Sequence, residues 1–255
     1  MFDPVRAVLG AVLETVLPAD CLVCEAILPW RQEGGVCLPC WERLPWAPRR
    51  QPLPARHAAG ARHAAGARDT AARGTATPAA VVSRPAVVSA LEYRDQARRL
   101  IHALKFAGFD PLGEPLGRAG AERCTALLEA LPPADVVVPV PLHWTRRFRR
   151  GFNQAELLAR GVARARGLPC ATNLLGRVHR GRRQRGLSQK DRRAAFAGVF
   201  AASAAARGAR VLLVDDVVTT GATIAACASA LAAAGAAPAG AFALARTPRL
   251  HRVSP

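Results

Sequence analysis

The chain has 255 residues, 51% of them apolar, and a formal net charge of +18. That length suits one domain of ordinary size plus a small appendage, with enough apolar residues to bury a substantial core. No stretch of about 18 apolar residues is free of charge, which excludes a transmembrane helix. Nearly all of the positive charge is arginine, Lys105 and Lys190 being the two lysines. A surface this positive attracts polyanions, so nucleic acid and phosphorylated metabolites are both admissible partners.

In chain order, the opening residues carry Asp3 and then Glu14 inside an apolar run. That pattern argues against a secretory signal and for an amphipathic helix over about 5–16. Cys21 and Cys24 form one CxxC pair and Cys37 and Cys40 another, with twelve residues between the pairs. Two such knuckles supply four thiolates to one tetrahedral zinc and leave no open position, so the metal is expected to be structural. Free thiols or a redox pair are the alternatives. The total of seven cysteines is odd. With four of them clustered, metal ligation in a reducing cytoplasm is expected rather than disulfides. Trp30, Trp41 and Trp46 either pack around this module or stack bases. Cys124, Cys170 and Cys227 read as structural or incidental.

Residues 51–85 are rich in Ala, Arg, Gly and Pro, contain the near-repeat ARHAAGARHAAGARD and include His57 and His63. They offer little to bury and read as a flexible insertion between a module over 1–50 and a domain over 86–255. The domain alternates extended and helical signals. Val87 to Tyr93 reads as extended, Asp95 to Lys105 as a helix stopped by Gly108, and Leu112 to Leu131 as a helix ending before Pro132. Asp135 to Val140 reads as a strand, Asn153 to Ala165 as a helix, and Val199 to Ala202 as a short strand. Val211 to Val214 is a strand, Thr223 to Ala234 a helix closed by Gly235, and Ala239 to Ala245 a final strand. Such alternation implies a mostly parallel sheet with helices on both faces.

Three constellations in this domain carry chemistry. The first follows the strand over 135–140. Pro139 and Pro141 stop ladder pairing. Arg146, Arg147, Arg149 and Arg150 come next, and Gly151, Asn153 and Gln154 then open a helix. Arginine forks suit the oxygens of a pyrophosphate or a nucleic-acid backbone, and a solvated basic loop is the plain alternative. The second runs from Arg177 to Phe200, basic and punctuated by glycine. It suits an exposed loop that closes over a ligand. The third is VLLVDDVVTTGATI, Val211 to Ile224. An apolar strand ends in Asp215 and Asp216. Thr219, Thr220, Gly221, Ala222 and Thr223 then lead into a helix, offering backbone N–H groups, hydroxyls and a helix N-terminus to an anion. Carboxylates beside a phosphate cradle suit a ligand that also presents hydroxyls, as a sugar phosphate does. Neither G-x-x-x-x-G-K-[ST] nor G-x-G-x-x-G occurs in this segment.

The third segment closely resembles the 5-phosphoribosyl-1-pyrophosphate (PRPP) motif of type I phosphoribosyltransferases. PVPLHxxRxxxRGFNQAELLA and Gln184-x-Gly186-Leu187-Ser188-x-x-x-Arg192 resemble the ComF family, which joins a zinc-finger-like N-terminus to such a domain. So does LEYRDQARRLIHALKFAG, Leu91 to Gly108, with Asp95 where the family has Gly and Phe106 where it has Tyr. Ala195 stands where the family usually has Asn.

The resemblance implies a five-stranded, mostly parallel α/β sheet with an N-terminal four-cysteine zinc module. It also implies Asp215 and Asp216 on the ribose, Thr219 to Thr223 on the 5′-phosphate, and Arg146, Arg150, Gly151, Asn153, Gln154 and Lys105 on pyrophosphate or substrate. Gln184, Ser188 and Arg192 would sit on the closing loop, with Mg²⁺ bridging PRPP oxygens. Thr219 occupies the place of the Asp that assists the base in 6-oxopurine transferases, which argues against hypoxanthine or guanine as acceptor. Met1-Phe2 offers no N-terminal Cys nucleophile of the glutamine-dependent amidotransferases. Two readings follow. One is a phosphoribosyltransferase acting on an unknown acceptor with release of pyrophosphate. The other is a non-catalytic PRPP- or nucleotide-binding accessory protein of DNA uptake that docks a competence helicase or single-stranded DNA. Both place it in the cytoplasm without membrane insertion.

Overall fold

The computed structural model describes residues 20–28, 35–53, 86–106, 110–142, 151–178 and 199–248. The helix expected over 5–16, Trp30, the insertion from residue 54 to 85, Gly108, the four clustered arginines and the loop over 179–198 lie outside them.

Five strands make the main sheet: β1 (Trp46–Pro52), β2 (Ala86–Glu92), β3 (Val136–Pro139), β6 (Arg210–Val218) and β7 (Ala237–Arg246). Their spatial order is β1-β2-β7-β6-β3. The pairings β2–β7, β7–β6 and β6–β3 are parallel, and β1 is an antiparallel edge. This is the expected mostly parallel α/β sheet, with one change of membership. The short strand read over 199–202 is β5 (Phe200–Ala202), and it pairs with β4 (Leu175–Arg177) in a separate two-stranded hairpin. The fifth place belongs to β1, whose Pro48, Pro52, Arg49 and Arg50 hide its strand character. Prolines and arginines are tolerated there because, among the described residues, the outer side of this edge strand has no partner.

Helices cover both faces. On one lie α2 (Asp95–Phe106), α3 (Gly113–Arg123), α4 (Thr125–Glu129) and α5 (Gln154–Arg166), after a short α1 (Leu38–Glu42) in the cysteine module. On the other lie α6 (Ala222–Ala233) and the β4–β5 hairpin. The two cores follow from strand alternation. Leu212 and Val214 of β6 face Leu100, Leu104, Leu116 and Leu158, whereas Val211 and Leu213 face Ile224, Cys227 and Leu231. Buried positions 224, 225, 227, 228 and 231 of α6 trace one helical face. Asp95, at the place where the family has Gly, has φ +42°, a left-handed backbone that glycine adopts without cost and aspartate tolerates.

Glycines let α3 and α5 touch backbone to backbone. A Cβ at Gly117 falls 2.2 Å from the Leu158 carbonyl oxygen, and one at Gly161 falls 2.1 Å from that of Glu114. Glu114 and Arg164 are ion-paired across the same contact. This crossing fixes α5, whose N-terminus faces the carboxyl end of β3.

Candidate functional site

The cysteine module docks on the first core rather than standing apart. Cys21, Val23, Leu28, Val36 and Leu44 are buried with α2 and the sheet, and Arg99 Nη1 on α2 donates to the Val23 carbonyl at 2.9 Å. The ligand atoms of Cys21, Cys24, Cys37 and Cys40 lie within 4.8 Å of one another. Cys24 Sγ and Cys37 Sγ are 3.6 Å apart. A tetrahedron with Zn–S bonds of about 2.3 Å has S···S edges of about 3.8 Å, so the four thiols fit zinc. The Cys37 N–H also points at Cys21 Sγ, 3.3 Å away, as a donor to a thiolate would. Metal analysis of the purified protein is expected to find about one zinc per chain. The Cys21→Ser variant is expected to lose it and melt at lower temperature, because ligation then no longer holds Val23, Val36 and Leu44 in the shared core.

The carboxyl end of β6 forms the second site. Pro139 of β3 pairs with Val214, and the Val140 N–H donates to the Val214 carbonyl at 2.8 Å. There β3 ends, while β6 runs on beside β7 to Val218. Asp215 and Asp216 are therefore the first residues of β6 beyond the end of β3. Adjacent strand residues point to opposite faces, so the acids straddle the sheet. Both are reached only by a ligand lying over the open carboxyl edge, where ligands bind in parallel α/β sheets.

The acids are partly committed already. Asp215 Oδ1 accepts from the Asp216 N–H at 2.9 Å, and Asp216 Oδ2 meets Lys105 Nζ at 2.9 Å. Asp215 Oδ2 and Asp216 Oδ1 have no partner among the described residues. Burial, with the Asp216 charge beside it, pushes the Asp215 carboxyl from 3.8 up to about 8. The folded chain thus holds a proton there that the unfolded chain releases near pH 4. Stability falls as pH rises between those two values and levels off above about 8. Asp215→Asn removes that slope. Its melting temperature is expected to match wild type below pH 4 and to exceed it increasingly up to pH 8 to 9, in a series of thermal scans.

The loop after β6 has the form the sequence leads one to expect. Gly221 has φ +78° and caps α6, turning the chain sharply from strand to helix. Thr220 Oγ1 accepts from the Ala222 N–H at 3.3 Å. Thr219 and Thr220 are exposed and Thr223 likewise. Loop amides, hydroxyls and the first turn of a twelve-residue helix so meet beside the acids.

The other expected contacts divide. Gly151, with φ +76°, has open space where a Cβ would stand. Asn153 is buried and occupied: its Oδ1 accepts from the Ala155 N–H, and its Nδ2 donates to the Val140 carbonyl, each at 3.2 Å. It caps α5 and ties that cap to the end of β3. Gln154 is also buried. Arg146, Arg150, Gln184, Ser188 and Arg192 lie outside the described residues. Sequence reasoning missed Arg246, which ends β7 level with Val218 and Glu92, at the same edge as the threonine loop. Its signal was a lone cation closing an apolar strand. Among the described residues no helix is long and apolar enough to cross a membrane.

Residues 149–253 match the phosphoribosyl transferase domain family. The chain is 42% identical over 93 residues to competence protein F of Haemophilus influenzae, covering 35% of this chain and 41% of that protein. It is 33% identical over 163 residues to the DNA utilization protein YhgH of Salmonella typhi, and 35% identical over 167 residues to that of Salmonella typhimurium. Each covers 63% of this chain and 72% of the relative. Among solved structures, the glutamine PRPP amidotransferase of Bacillus subtilis is 24% identical with a TM-score of 0.37, over 55% of this chain and 26% of that one. That last likeness is too partial to carry weight. With a third of positions shared across nearly three quarters of the YhgH proteins, the chain belongs to the ComF/YhgH family and carries its phosphoribosyl transferase domain.

Proposed function

We propose that the chain binds PRPP, or a closely related sugar phosphate, and transfers its phosphoribosyl group to an acceptor with release of pyrophosphate. One observation carries this reading: two carboxylates and a hydroxyl- and amide-bearing turn occupy residues 215–223 at the open carboxyl edge of β6. In this reading the ribose hydroxyls donate to the unpartnered oxygens of Asp215 and Asp216, and residues Thr219 to Thr223 hold the 5′-phosphate. The bond from C1 to the pyrophosphate oxygen breaks as the acceptor's nucleophile bonds to C1. Asp216, joined by Asp215 once it ionises above about pH 8, offsets the positive charge that develops on the ring, and fixed electrostatics of this kind supply most of the acceleration. Arg146 and Arg150 are assigned to pyrophosphate, and the loop bearing Gln184, Ser188 and Arg192 to excluding water.

Metals take two roles here. The four-cysteine site is assigned structural zinc. Asp215 and Asp216 are only two carboxylates, and the cysteines are the only cluster of three or more ligand residues among those described. Mg²⁺ would therefore be held chiefly by PRPP oxygens and water, where it neutralises charge on the leaving group.

A second reading is favoured by the names of the relatives, competence protein F and DNA utilization protein. In it the same site binds PRPP or a nucleotide without turnover, and the +18 chain docks single-stranded DNA or a competence helicase. A screen of PRPP with candidate bases and amines, read by pyrophosphate release, separates the two. Acceptor-dependent release supports transfer. Salt-dependent binding to single strands with no release supports the accessory role.

A further inference from the structure

Lys105 stands at the last turn of α2, above the face of β6 that carries Leu212 and Val214. Its ammonium lies 2.9 Å from Asp216 Oδ2, and the two side chains are only 22% and 16% exposed. Leu104, next to it on the helix, is fully buried, as is Val214 on the strand. The pair thus closes the edge of an apolar layer, where an ion pair is held more firmly than on an open surface. Its geometry has a directional consequence. One Asp216 oxygen is taken by the lysine, so the other is fixed in direction and faces away from it. The Asp216 backbone N–H is meanwhile bound to Asp215 Oδ1. The lysine thus sets the direction of Asp216 Oδ1, while the Asp216 backbone N–H separately sets that of Asp215 Oδ2. A lysine so engaged has its charge committed to a carboxylate.

This deepens the phosphoribosyl reading and rests on it: we propose that Lys105 is a positioning residue, which holds Asp216 in place for a ribose hydroxyl and makes no contact with the pyrophosphate. The two roles differ in which ligand notices the lysine. Ribose 5-phosphate has the hydroxyls and the 5′-phosphate of PRPP but lacks the pyrophosphate.

Calorimetric titration of wild type, Lys105→Met and Lys105→Arg with PRPP and with ribose 5-phosphate, each with Mg²⁺, tests this. The methionine variant is expected to weaken both ligands by the same factor, roughly tenfold, the scale of one charge-assisted hydrogen bond. The arginine variant, which keeps the cation, is expected to restore both. Should the methionine variant not fold, Lys105→Gln supplies the same comparison. Loss confined to PRPP would make Lys105 a pyrophosphate contact and overturn the proposal, as would unchanged affinity for both ligands. Loss of both without recovery in the arginine variant would also overturn it. Wild type that binds neither ligand would instead overturn the phosphoribosyl reading itself.

Discussion

Replacing Asp215 and Asp216 together by asparagine is expected to weaken PRPP binding by about a hundredfold to ten-thousandfold at about pH 9, where Asp215 is ionised too, while the fold survives. Hydrogen bonds to a charged group contribute about 1.5–3 kcal/mol each, so two lost ones cost about 3–6 kcal/mol, at about 1.4 kcal/mol per decade. Asparagine keeps the shape of both side chains. The fold survives because the two changes act in opposite directions. Asp215→Asn removes a carboxyl whose burial disfavours its charge. Asp216→Asn leaves Lys105 without its carboxylate, which costs stability at a half-buried site. Calorimetry with PRPP, alongside circular dichroism, reads both halves. Binding within threefold of wild type in a folded double variant would remove the acids from the site.

The largest effect on stability is expected at the helix crossing. At Gly161 a methyl group would sit 2.1 Å from the Glu114 carbonyl oxygen and 2.6 Å from the Arg118 nitrogen. Both are backbone atoms of α3, so no side chain can swing aside, and the helices must separate. Overpacking of this kind costs about 3 kcal/mol, or a drop of about 6–12 °C in melting temperature for a chain of this size. Gly117→Ala meets the Leu158 carbonyl at 2.2 Å and is expected to behave alike. Gly176→Ala, whose nearest neighbour is 3.9 Å away on the hairpin, serves as the control and is expected to change stability by less than about 0.5 kcal/mol. A Gly161→Ala variant as stable as that control would contradict the close crossing.

What the sequence made legible and what it hid follow one physical divide. Local patterns were readable. The apolar run before Asp215, the turn at Gly221, the helix opening at Asn153 and the paired cysteines each have their cause within a few residues. The structure has the strand, the turn, the helix and the convergence of the thiols. Partnerships across the fold were not readable. Strand β1 straddles the end of the cysteine module and the start of the insertion as read from sequence, because its prolines and arginines are tolerated only at an edge, and being an edge is a property of the sheet. The purpose of Gly117 and Gly161 emerges only where the two helices cross. Lys105 and Asp216 are far apart in the chain, so their pairing is not legible in the sequence. The bond from Asn153 to the Val140 carbonyl is of the same kind, joining the start of α5 to the end of β3.

Crystals grown with PRPP and Mg²⁺ show directly whether this edge of the sheet holds the sugar phosphate. The 5′-phosphate is expected against the amides and hydroxyls of Thr219 to Thr223, with the ribose hydroxyls on Asp215 and Asp216. An empty turn, or a ligand bound elsewhere while neither acid touches it, would contradict this placement.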